Sequence, residues 1–174
     1  MTVYVALLRG VNVGGRKLPM ADLRKLAEEC GFGDVQTYVQ SGNVVFDGSG
    51  SASSVAKRLR VAIASATALD PEIAVRTGPQ LANVVDDCPF DDTSCVHVTF
   101  LVEGAKATRP AIDPDEFAPE RFAAKGRQTY LYLPNGIGRS KLAAALSKGK
   151  AALDGTTRNW RTVTTLLELT RARS

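Results

Sequence analysis

The order of apolar segments between Val3 and Arg76 constrains this chain more than any other feature. Val3 to Leu8 is a near-continuous apolar run, short and β-branched enough for a central strand. It ends in a glycine-rich turn, Gly10 to Gly15, and Pro19 stands where a first helical residue is welcome. Met20, Leu23, Leu26 and Ala27 then recur at helical spacing until Gly31 stops the run. Val35, Thr37 and Val39 alternate with polar residues, Gln40-Ser41-Gly42-Asn43 supplies a turn, and Val44-Val45-Phe46 returns, which predicts a hairpin. Ser53 or Ser54 is placed to cap a second helix through about Thr67, and Ile73 to Arg76 gives the next strand. The resulting β-α-β-β-α-β order is the split arrangement called ferredoxin-like, with both helices on one face of an antiparallel sheet. The other face needs a cover.

The second half reads less regularly. Thr77 and Pro79 open a short helix ending near Asp86, and residues 87–93 form a polar, Pro-containing link. Val96 to Val102 is a second strong strand, Lys106 to Pro119 is irregular, and Arg121 to Lys125 with Thr129 to Leu133 fits a hairpin about Gly126. Ser140 is expected to cap a helix to about Lys148, and Thr157 a last one from Arg158 to about Arg171, with a possible short strand at Ala151 to Leu153. The fold expected is α+β: two ferredoxin-like halves with antiparallel sheets, residues 1–86 and 94–174. The echo is topological only, and a mixed sheet decorated by helices is the alternative.

Composition excludes several classes. With 174 residues, 44% hydrophobic and 23% charged, the chain sits in the ordinary globular range, outside disordered and collagen-like compositions. No apolar run approaches the roughly 20 residues needed to span a bilayer, so no membrane association is expected. The location expected is cytoplasmic, as monomer or homodimer. Cys30, Cys88 and Cys95 are odd in number and lack metal-like spacing, which points to reduced thiols. His97 is the only histidine and lies in an alternating strand, so a structural role is favoured over a general base. Neither a catalytic motif nor a metal or cofactor signature stands out.

Charge is distributed unevenly. Residues 1–69 carry a net +3, residues 70–120 a net −8 and residues 121–174 a net +9. Either the acidic middle folds against the basic end, or the basic segments meet an anion. Four segments are candidates. Arg9, Gly10, Asn12, Gly14, Gly15, Arg16 and Lys17 form a glycine loop between strand and helix, where free N–H groups can surround an anion. A Walker motif is excluded, because Arg16 and Lys17 stand where its Lys and Ser/Thr belong. Gln40, Ser41 and Asn43 sit at a hairpin tip, although turn chemistry alone explains them. Arg139, Ser140 and Lys141 surround a helix start; Thr157, Arg158, Asn159 and Trp160 surround another. Cations there oppose the helix dipole by a few tenths to about 1 kcal/mol unless an anion sits between them.

Taken together, Tyr4 to Gly15, Pro19-Met20 with Leu23, and Thr37 to Phe46 resemble the family catalogued as domain of unknown function 1697. Gly138-Arg139-Ser140-Lys141-Leu142 and Thr157-Arg158-Asn159-Trp160 with Thr162-Val163 are similar to its second signature. The resemblance implies a compact bacterial-type cytosolic α+β protein and supplies no reaction. The functional expectation is a phosphate-bearing ligand, whether nucleotide, nucleic acid or phosphorylated metabolite, in one basic cleft between the halves. Single-stranded RNA is disfavoured because Ser41 to Phe46 lacks the aromatic pair that stacks bases. An enzyme acting on a phosphorylated small molecule and an interaction protein without a small ligand are the alternatives.

Overall fold

The computed structural model describes residues 1–173. β1 (Thr2–Leu8), α1 (Met20–Glu29), β2 (Gly33–Tyr38), β3 (Asn43–Gly48), α2 (Ala52–Ala66) and β4 (Ile73–Thr77) build the first half. Their strands form an antiparallel sheet in the order β2-β3-β1-β4. After α3 (Gly78–Asp86) come β5 (Val96–Leu101), β6 (Arg121–Lys125), β7 (Gln128–Tyr132), α4 (Lys141–Ser147), β8 (Gly155–Asn159) and α5 (Trp160–Arg171). The second sheet runs β6-β7-β5-β8, which is the first order repeated, strand for strand. Both halves are therefore ferredoxin-like. The second lacks a counterpart of α1, and its residues 102–120 hold one 3-10 turn instead, Pro114–Phe117.

Alternation along the strands decides which layer each side chain joins. Tyr4, Ala6 and Leu8 of β1 pack with Val44, Phe46 and Val75 under α1 and α2. Val5 and Leu7, with Val45 and Ala74, face the opposite way. There they meet Val98, Phe100 and Tyr130 of the second sheet, together with Leu81 and Val84 of α3 and Val163 and Leu166 of α5. The uncovered face expected for a lone ferredoxin-like unit is thus closed by the other half. Each large side chain fully buried in that shared layer is worth roughly 1.5–3 kcal/mol, so the contact is a core. On the far side of the second sheet, Leu101, Leu131 and Leu133 pack against Leu142, Leu146 and Leu153.

Three boundaries differ from the sequence reading. Ser51, not Ser53 or Ser54, caps α2, its Oγ accepting from the Ser54 N–H at 3.1 Å. Ala151 to Leu153 is no strand; Gly149–Ala151 is a 3-10 turn, and the strand begins at Gly155. The largest correction follows from this. Thr157 and Arg158 lie in β8, paired with Thr99 and Val98, and Asn159 is the cap of α5, accepting from Thr162 N–H at 2.8 Å. A threonine and an asparagine two residues apart are both good caps. Ladder pairing with β5 decides between them.

Candidate functional site

Arg158 sits at the centre of the contact between halves, only 7% exposed. Its Nε donates to Asn43 Oδ1 at 2.6 Å, and its Nη1 to Thr156 Oγ1 and the Thr157 carbonyl at 2.7 and 3.0 Å. Its Nη2 donates to the Leu8 and Ser41 carbonyls at 2.8 and 2.9 Å. A guanidinium has five N–H donors, and all five are accounted for. Burial pulls its pKa down from the ordinary 12.5 to about 10, which leaves it charged at neutral pH. Asn43, wholly buried, is held in turn by Nδ2 donating to the Tyr38 carbonyl and Ser41 Oγ. The expectation that Arg158 and Asn43 face a ligand is corrected: the first half consumes this arginine.

Arg76 occupies the same place in β4 that Arg158 has in β8, each one residue before a helix cap, Thr77 or Asn159. Its Nη2 donates to the Leu101 and Arg127 carbonyls at 3.0 and 2.9 Å, the end of β5 and the turn between β6 and β7. Leu8 and Gly42 are the corresponding sites in the first half, and Arg158 Nη2 also reaches the Gly42 carbonyl, at 3.5 Å. The correspondence extends through the backbone. Leu8 N–H donates to Gly42 O as Leu101 N–H does to Arg127 O, and Arg9 N–H to Glu72 O as Val102 N–H does to Asp154 O. Each half therefore sends one arginine from its last strand into the other. Burial also lowers the Arg76 pKa to about 10, and Glu103 Oε1 accepts from its Nη1 at 3.2 Å.

The halves part company at the outer face of the second sheet. The pair Ala6 and Val75 lies inside the first half's core; the corresponding pair is Thr99 and Thr157, whose hydroxyls meet at 2.7 Å. The helix above is also shorter, 7 residues in α4 against 15 in α2. A pocket of about 370 Å³ opens there, lined by Thr99, Thr157, Ser140, Ser147, Leu146 and Arg9 among others. Arg9 reaches it from the first half. Its Nη1 bridges Glu72 Oε2 at 2.9 Å and Asp154 Oδ1 at 2.7 Å, one acid from each half. Its Nε and Nη2 meet no hydrogen-bond partner among the described residues. The same Arg9 also lines a second pocket of about 430 Å³ with Gly10, Arg16, Asp70 and Glu72.

The remaining expected site residues are dispersed. Gly10, Gly14 and Gly15 carry positive φ, as a tight crossover requires. Asn12 staples that loop: its Nδ2 donates to the Leu18 and Gln40 carbonyls, and its Oδ1 accepts from Leu18 N–H. Lys17, Arg139 and Lys141 are exposed and line neither pocket. Trp160 packs beside the shared core. One cleft joining Arg16, Lys141 and Arg158 is not what the fold builds; Arg9 connects the two pockets instead. Thr99, Ser147, Glu72, Asp154 and Arg76 escaped the sequence reading. The signal for Arg76 was an arginine followed at once by a cap residue, in Val75-Arg76-Thr77 as in Thr157-Arg158-Asn159. His97 is half-buried with an unpartnered Nδ1, and burial holds its pKa below the usual 6.5. No cluster of metal-ligating side chains exists among the described residues, nor any helix long and apolar enough to cross a membrane.

A family model described as a protein of unknown function, DUF1697, matches residues 1–130. The chain belongs to the DUF1697 family. The matched span ends within β7, so β8, its Arg158 and α5 lie beyond it. A conserved bacterial protein from Streptococcus pneumoniae is similar in structure, with a TM-score of 0.77 at 21% identity. The likeness covers 98% of this DUF1697 chain and 99% of that one. It extends the shared fold over both halves, β8 and α5 included. A search of curated proteins finds no match.

Proposed function

We propose that this DUF1697 protein binds a small phosphate-bearing molecule in the pocket at Arg9, Thr99 and Thr157. The observation that carries the reading is the open edge of Arg9. Glu72 and Asp154 hold Nη1 and so orient the guanidinium, while Nε and Nη2 form the fork that matches two oxygens of an oxyanion. The Thr99 and Thr157 hydroxyls share one hydrogen bond between them, which leaves one O–H proton for a third oxygen. A phosphate offers three terminal oxygens; a carboxylate offers two. The volume falls within the range of about 300–1,000 Å³ usual for small-molecule sites. Its apolar wall, Leu131, Leu146 and Leu153, suits a ligand body, and no aromatic ring lines it for stacking bases of a nucleic acid.

The test is titration of the protein with inorganic phosphate and nucleoside monophosphates, followed by backbone amide shifts at Arg9, Gly138 and Thr157. Saturable shifts are expected, with Arg9→Gln weakening binding by about 2 kcal/mol, in the range of a charged hydrogen bond. Arg9 and its two acids are each more than a third exposed, so its stability cost stays below about 1 kcal/mol. Absence of saturable shifts, or equal affinity in Arg9→Gln, refutes the reading.

A further inference from the structure

The reciprocal arginines are not equally satisfied. In the Arg158 clasp, Asn43 supplies the acceptor for the Nε–H. The counterpart of Asn43 is Gln128, since Leu7 pairs with Asn43 as Phe100 pairs with Gln128. Gln128 makes no hydrogen bond to Arg76. The Arg76 guanidinium spends Nη1 on the Val75 carbonyl and Glu103, and Nη2 on Leu101 and Arg127. Its Nε–H meets no acceptor among the described residues, although the residue is only 4% exposed.

A pocket of about 300 Å³ opens beside it, between the halves, lined by Arg76, Gln80, Asn83, Glu103, Arg127 and Gln128. Three carboxamides and two guanidinium groups give this pocket a donor-rich wall with planar geometry. Asp87 and Glu103 balance the two cations, so the local charge is near zero and no multiply charged anion is called for. The Nε–H is not sealed from solvent and so stays open to an acceptor entering the pocket, and one side chain fills that place in the matching clasp.

We infer that this pocket is a second binding site, separate from the one at Arg9, for a small molecule whose planar carboxylate or carboxamide oxygen accepts from Arg76 as Asn43 does from Arg158. Asn83 is exposed and takes no part in the clasp, so Asn83→Trp blocks the pocket without disturbing Arg76. Gln128→Asn places an Asn43-like acceptor on the strand position that faces it.

The experiment uses the whole chain and two probes, sodium acetate and acetamide, against sodium chloride at matched ionic strength, read by amide shifts at Gly126, Arg127, Gln128 and Glu103. Saturable shifts with either probe are expected, at about millimolar strength for fragments of four heavy atoms. Response to acetate alone assigns a carboxylate ligand; response to acetamide, with or without acetate, assigns the neutral oxygen as sufficient. Asn83→Trp and Gln128→Asn should each weaken the response about tenfold, and Gln128→Asn should also raise the thermal midpoint. Shifts no larger than those in chloride, or shifts unchanged in both variants, overturn the site. Amides at Gly138 and Thr157 report the Arg9 pocket separately, so the two readings fail independently.

Discussion

Arg9 and Arg158, one exposed and one buried, show how little a charge says until its partners are known. Arg9 is more than a third exposed and tied by one nitrogen to two half-exposed acids, so its ion pairs contribute a few tenths to about 1 kcal/mol. Arg158 is buried and donates to two side-chain oxygens and three carbonyls. Replacing it by methionine keeps the apolar stem but strands Asn43 Oδ1 and the Leu8 and Ser41 carbonyls, each costing about 1–3 kcal/mol when left without a donor. Arg158→Met should therefore lower stability by at least about 3 kcal/mol, seen as a lower urea midpoint. A loss below about 1 kcal/mol would mean that water replaces the guanidinium and that the clasp is incidental. Ligand binding at Arg9, measured below the unfolding transition, should survive.

At the level of elements, the first half was legible because each signal there is local. Apolar alternation, the Gln40 to Asn43 turn and the Thr77–Gln80 capping box all act over a few residues, and the capping box forms with both its hydrogen bonds, Gln80 N–H to Thr77 Oγ1 and Thr77 N–H to Gln80 Oε1. β8 was misread because Gly155 to Asn159 carries no apolar run; its Thr-Thr-Arg stretch is stabilised by pairing with β5, a contact about 58 residues distant in the Thr99 to Thr157 pair. Close approach makes the strand possible at Gly155, where an added Cβ would collide with the Phe100 carbonyl. The candidate site is less legible still: the hairpin tip receives Arg158 through Asn43 and the Ser41 carbonyl, and the glycine loop is stapled by Asn12, so of these two segments only Arg9 faces the pocket at Thr99 and Thr157 with open donors. The helix start offers a clean check. Asn159→Ala should lower helix content and cost about 1 kcal/mol by urea midpoint as a lost cap, whereas Thr157→Val, which removes only the hydroxyl bonded to Thr99, should leave helix content unchanged. The reverse ranking of helix content, by far-ultraviolet circular dichroism, would restore the helix start to Thr157.

For the whole molecule, the question is whether 1–86 and 94–174 are units or halves of one unit. The shared layer takes Val5, Leu7, Val45 and Ala74 from one side and Val98, Phe100 and Tyr130 from the other, with α3 and α5 between. The clasps cross it in both directions, and Tyr130 Oη donates to the Val84 carbonyl at 2.6 Å. The intervening link is itself docked: Phe90 lies 5.6 Å from the Tyr132 ring, and Lys125 Nζ donates to the Asp87 carbonyl at 2.8 Å. Residues 1–86 alone would keep only α3 on the inner face of their sheet, lose the cover of the second sheet and α5, and leave the Leu8 and Ser41 carbonyls without Arg158. We propose that the link is a tether within one cooperative unit. Intact protein should then unfold in urea in a single transition, with fluorescence of Trp160 in the second half and amide signals of β1 in the first half coinciding. The fragment 1–86 should show no cooperative transition. Two separated midpoints, or a fragment with native-like shifts, would establish instead that each half folds by itself and that the arginines only dock finished domains.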